Sequence, residues 1–178
     1  MLRHLVRSMA TKTVPPLRKY PVPVPSTPLA LAAVGGELSA IEAADLATLD
    51  AQDDTGNTPL IWASDAGRID VVKAIVAKGG DVNKAGFIGN TALARAARQG
   101  HTEIARTLLS APGCTCQDVC NSKSQYPLHF AAFKQHADTV RVMLELGCSS
   151  LVVDRKGRTP AEDTSSAEVR DMIVAARQ

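Results

Sequence analysis

The chain repeats itself. Short blocks built on Thr-Pro-Leu begin at Thr27, Thr58, Thr91, Tyr126 and Thr159, spaced 31, 33, 35 and 33 residues apart. A period near 33 constrains the fold more than any single motif does. Each unit is too short to bury an apolar face by itself and must stack on its neighbours to build a core. The low aromatic content, 3%, fits a core made of repeated small contacts between Ala, Leu, Val and Gly.

Each recurring position has a physical reason. Thr before a helix accepts from an orphan backbone N–H, and Pro at the first helical position costs no donor, so each block predicts a helix start. Nine residues after the Thr stand Gly36, Gly67 and Gly100, with Gln135 at that place in the fourth unit. Glycine there supplies the positive φ that ends a short first helix. The small pairs Ala32-Ala33, Ala63-Ser64, Ala96-Ala97 and Ala131-Ala132 let a second, antiparallel helix approach closely. Apolar runs follow at Ile69, Val71, Val72, Ile75 and Val76, at Ile104, Leu108 and Leu109, and at Val140, Met143 and Leu144, each with helical spacing. The expectation is an all-α stack of helix hairpins.

Two stretches, DTGNTPLIWASDAGRIDVVKAIVAKGGDVN from Asp54 to Asn83 and GNTALARAARQGHTEIARTLL from Gly89 to Leu109, resemble the ankyrin repeat family. The resemblance implies an ankyrin solenoid over residues 27–178, with units near 27–53, 54–86, 87–121, 122–154 and 155–178. It also implies β-hairpin-like loops along one edge, and partner binding on the loop tips and the concave first-helix face. Departures stand beside the matches. The family's TPLH histidine appears as His129, with Ala30, Ile61, Ala94 and Glu162 at the equivalent places. In the last unit Thr164-Ser165 replaces the small pair, which predicts an end that is frayed or depends on a partner.

The resemblance marks exposed, variable positions as a partner surface. Phe87 and Ile88 fall on a loop tip and Phe133 on the concave face, flanked by Arg98, Gln99, Lys123 and Lys134. Such an apolar anchor with basic neighbours is a candidate hot spot, although loop side chains also fold back over a repeat edge. Asn57 and Asn90 map to exposed positions as well. Asp53, Asp54 and Asp65 at one end and Arg155, Lys156 and Arg158 at the other form a charge gradient that would orient a partner. Arg95 occupies the place held by Leu31, Trp62 and Phe130 in other units. It is expected either to stack between Trp62 and Phe130 or to reach out to solvent.

Charge is uneven. Residues 1–26 carry Arg3, Arg7, Lys12, Arg18 and Lys19 and no acid, whereas residues 27–178 hold 15 bases against 18 acids. A mildly acidic body is a poor footprint for nucleic acid, which needs a basic face. Leu2, Leu5, Val6 and Met9 on one helical face, with Arg3 and Arg7 on the other, resemble a mitochondrial targeting peptide. A disordered basic terminus of a cytoplasmic protein and a plastid signal are the alternatives. A Pro-rich stretch to Pro28 predicts an extended arm. No apolar run is long enough to span a membrane.

Cys114, Cys116, Cys120 and Cys148 fall on neighbouring loops, where thiolates could meet around zinc or pair as a disulfide. Their spacing is not the paired CxxC of a zinc ribbon, and the chain is read as holding no metal and no cofactor. Gly35-Gly36 and Gly79-Gly80 lack a phosphate-loop context, and no nucleophile, base or carboxylate pair is arranged for catalysis. The reading is a non-enzymatic module that holds another protein, as an adaptor or accessory subunit. The alternatives are a structural subunit of a large assembly anchored by the arm, and a redox- or zinc-responsive regulator.

Overall fold

Thr27, Thr58 and Thr91 each cap a helix through the hydroxyl. Thr27 Oγ1 accepts from the Ala30 N–H at 3.2 Å, Thr58 Oγ1 from Ile61 at 3.3 Å, and Thr91 Oγ1 from Ala94 at 3.3 Å. In the computed structural model, which describes residues 24–176 apart from the Cys116 side chain, these caps open inner helices α1 (Pro28–Gly35), α4 (Pro59–Asp65) and α6 (Ala92–Gln99). Two more inner helices follow, α8 (Pro127–Phe133) and α10 (Pro160–Asp163). Most of the segment 1–26 lies outside the described residues.

The turn after the inner helices is left-handed where the sequence asks for it. Gly36, Gly67 and Gly100 have φ of 84°, 73° and 79°, and Gln135 takes 62° in their place. A non-glycine residue there costs about 1 kcal/mol relative to Gly. Beyond the turn run the outer helices α2 (Leu38–Ala43), α5 (Ile69–Ala77), α7 (Thr102–Leu109), α9 (Ala137–Glu145) and α11 (Ala167–Ala175). The first unit adds a short helix, α3 (Leu46–Leu49), with Leu49 buried.

Inner helices stack in the order α1, α4, α6, α8, α10, and outer helices in the order α2, α5, α7, α9, α11. The small pairs are buried between the two layers, and Val71, Val72, Ile75, Ile104, Leu108, Val140 and Met143 close the core from the outer side. The all-α solenoid expected from the repeat is therefore the observed fold. The last unit, where fraying is expected, is capped and anchored: Glu162 accepts from the Thr159 N–H at 2.7 Å, Ser166 caps α11, and Val169 and Ile173 seat that helix in the core.

The projecting loops are turns, and no strand occurs among the described residues. Three of them are each organised by one side chain of their own. Asp53 Oδ1 accepts from the N–H groups of Thr55 and Asn57 at 2.9 and 3.0 Å. Asn121 Oδ1 does so from Lys123 and Gln125 at 2.9 and 3.0 Å, and Asp154 Oδ1 from Lys156 and Arg158 at 2.8 and 3.0 Å. The remaining loop has Gly86 at this place. There Asn57 Oδ1 crosses from the neighbouring loop to accept from the Phe87 N–H at 2.9 Å, and a Cβ on Gly86 would collide with that oxygen and with Ile61. Asn57 and Asn90 are accordingly buried, contrary to their expected exposure. Backbone bonds from Ser122 N–H to Ile88 O and from Arg155 N–H to Lys123 O, at 3.0 and 3.1 Å, tie successive tips together.

Candidate partner-binding groove

Helix α8 is fixed by a chain of bonds that starts in its own cap. Tyr126, standing where the other units have Thr, donates its N–H to His129 Nδ1 at 3.3 Å. That bond leaves the proton on Nε2, which donates to the carbonyl of Arg158 in the next loop at 3.0 Å. The Tyr126 and His129 rings stack with centroids 6.0 Å apart. The TPLH histidine thus ties the fourth unit to the loop that opens the fifth.

Beside this helix lies a groove of about 280 Å³. Ile88, at a loop tip with φ of 53°, is 42% exposed and forms one wall, and Phe133 is 62% exposed. Arg98, Lys123 and Lys134 supply basic groups to the lining, and Lys134 Nζ sits 5.9 Å from the Phe133 ring centroid. Arg158 is committed within the protein. Its Nη2 meets Asp154 Oδ2 at 2.7 Å and its Nη1 lies 2.9 Å from Asp163 Oδ1, an ion-pair distance without an aligned N–H. Hydrogen bonds from the Arg158 side chain and backbone hold the Asp154 carboxyl down to about 2. Burial pushes Asp163 above the ordinary carboxylate value, against the pull of Arg158.

Of the residues expected at a partner surface, the groove brings together Ile88, Arg98, Lys123, Phe133, Lys134 and Arg158. It leaves out Phe87, which is half-buried beside the Asn57 bridge, and Gln99, which donates to Asp65 at 3.1 Å. Arg155, bonded through its guanidinium to the Ser122 carbonyl, and Lys156, on the last tip, also lie outside it. The expected charge gradient is weakened at both ends. Asp53 is buried in its own loop and Asp65 faces Arg95, while Arg158 is paired. Asp163, His129 and Asn121 line the groove without having been marked as site residues. Asn121 had a readable signal, since Asp53 and Asp154 stand at the same distance before their blocks.

Arg95 takes neither expected place. It is 8% exposed, its Nη1 is 3.9 Å from Asp65 Oδ1, and its Nε has no hydrogen-bond partner. Among the described residues the cation over a ring is Lys134 on Phe133, and the Trp62 Nε1–H donates instead to Asp53 at 2.7 Å.

Cys114, Cys120 and Cys148 are thiols, and burial, with Asp118 and Cys114 adding, pushes Cys148 up to about 12, so at neutral pH it keeps its proton. Among the described residues no group of three His, Cys, Asp or Glu is placed to hold a metal; the Cys116 side chain lies outside them. No described helix is long and apolar enough to cross a membrane.

Stacked helix hairpins with left-handed turns between them define a repeat protein built to present a surface. The profile of the family described as ankyrin repeats (3 copies) matches residues 11–86, 29–118 and 93–168, and the chain belongs to the ankyrin repeat family. The curated relatives it matches are much longer than this chain. It is similar to the E3 ubiquitin-protein ligase XBAT33 of Arabidopsis thaliana, 36% identical over 49% of this chain and 17% of that protein. The probable E3 ubiquitin-protein ligase XBOS33 of Oryza sativa subsp. japonica is 34% identical over 64% of this chain and 20% of its own length. Inversin of Danio rerio is 30% identical over 72% of this chain and 16% of its own. The chain thus spans about a fifth or less of these relatives. Ankyrin repeats are protein-interaction modules, a fold that is generally not catalytic.

Proposed function

We propose that the chain is a non-enzymatic adaptor or accessory subunit that holds another protein in the groove along α8 and on the adjoining loop tips. The observation that carries this is the exposed Phe133 ring set among basic side chains in a concave recess, an arrangement that gains by being covered. A ligase activity is not part of the proposal, because the match to the ligase-named relatives covers 17% and 20% of their lengths. Benzoylphenylalanine placed at Phe133 is expected to capture a protein on irradiation in cells, while the same group at Lys73 on an outer helix is not. Adducts at Lys73 and none at Phe133 would sink the reading.

A second reading, a structural subunit of a larger assembly, is favoured by Leu151 at 63% exposure with Val153 and Leu146 beside it in sequence, none of which lines the groove. Adducts formed at Leu151 in preference to Phe133 would support it.

The basic, acid-free segment 1–26 supports a further proposal, that the protein is imported into mitochondria. Intact mass of the protein recovered from its source is expected to lack about 20 residues at the start, within the usual length of such signals. A retained Met1 region in a cytoplasmic fraction would overturn import.

A further inference from the structure

We propose that the groove receives an acidic protein segment in which a large apolar side chain is flanked by carboxylates. The proposal rests on the reading of the groove as a partner site and names the partner's chemistry. Among the described residues, Arg98, Lys123 and Lys134 enter no ion pair. The one carboxylate in the lining, Asp163, is already held by Arg158. Three cations therefore face one recess without a counter-ion, on a body where acids outnumber bases 18 to 15, so the basic rim is not an extension of a generally basic surface.

The apolar part of the lining sets the second requirement. Lys134 Nζ and the Phe133 ring are presented together, 5.9 Å apart. A carboxylate next to an apolar side chain would draw the ammonium while the side chain covers the ring, which satisfies both groups at once. The chain's own basic segment 1–26 carries five cations and would be repelled, which removes it as an occupant. A nucleic acid is disfavoured by shape, because its backbone calls for a stripe of cations along several phosphates, whereas these three surround a single recess in an acidic body.

The full chain would be titrated with a short fluorescein-labelled peptide carrying Phe between glutamates. Controls are peptides with Gln for Glu or with Ser for Phe, and a single-stranded oligothymidine. The acidic Phe peptide is expected to bind about tenfold tighter than any control, and the Lys123→Glu/Lys134→Glu variant, folded by circular dichroism, is expected to lose about tenfold in affinity for it. Equal binding of the Glu and Gln peptides, tighter binding of oligothymidine, or full affinity in the double variant would each overturn the proposal. Capture of a protein at Phe133 alongside such a failure leaves the partner-site reading standing and removes only the acidic segment; with no capture there, both fall.

Discussion

Replacing Asp53 with alanine is expected to cost the repeat stack about 2–4 kcal/mol, the range for leaving buried donors without their charged acceptor. The carboxylate is 7% exposed and accepts four hydrogen bonds. Oδ1 takes the Thr55 N–H, the Thr55 hydroxyl at 2.6 Å and the Asn57 N–H, and Oδ2 takes Trp62 Nε1–H at 2.7 Å. Alanine strands the N–H of Asn57 and the indole of Trp62, both of them buried. It also loosens Asn57, whose amide oxygen holds the next loop through Phe87. The protein has a single tryptophan, so its fluorescence reports on this loop while circular dichroism follows the helices. Urea titration of the variant should show a lower midpoint by both signals. An unchanged midpoint would refute the assignment.

The same carboxylate gives a pH dependence with a definite sign. Burial alone would raise Asp53, but hydrogen bonds from Thr55, Trp62 and Asn57 outweigh it and hold the carboxyl below its ordinary value of 3.8. The unfolded chain therefore binds this proton more readily than the folded one. Stability from Asp53 is fully present above the unfolded value and is lost as pH falls through the folded one. Asp154, held down to about 2, acts in the same direction, and Asp163, raised by burial, opposes them. Acid unfolding should accordingly be less steep in the Asp53→Ala variant as pH falls through the unfolded value near 3.8 and below it, where the unfolded wild-type chain takes up this proton before the folded one does.

Much of the fold was legible because its signals are local. Thr at a cap, Pro at the first helical position, and Gly or Gln135 at the left-handed turn each act within a few residues, and the period repeats them. What the sequence hid are bonds between units: Asn57 reaching Phe87, His129 reaching Arg158, and Trp62 turning to Asp53 instead of Arg95. The candidate site was legible to the extent that exposed position predicts it, as with Ile88, Phe133 and Lys134. Arg158 and Asp53 illustrate the limit. Both are charged residues at loop positions expected to face solvent, yet neighbouring side chains and backbone take up their charges.

Arg95→Leu is expected to stabilise the protein by about 1–2 kcal/mol, in line with replacing a poorly paired buried charge by an apolar side chain. Burial lowers the guanidinium from its ordinary value and Arg98 adds to that effect, while Asp65 resists it from 3.9 Å, beyond hydrogen-bond distance. The Nε proton is buried without an acceptor. Leucine removes both costs and suits a place that holds Leu31, Trp62 and Phe130 in other units. Asp65 would not be stranded, since it keeps the bond from Gln99 and part of its carboxylate faces water. Thermal unfolding followed by circular dichroism measures the change. A loss of stability would mean that the Asp65 attraction outweighs the desolvation of Arg95.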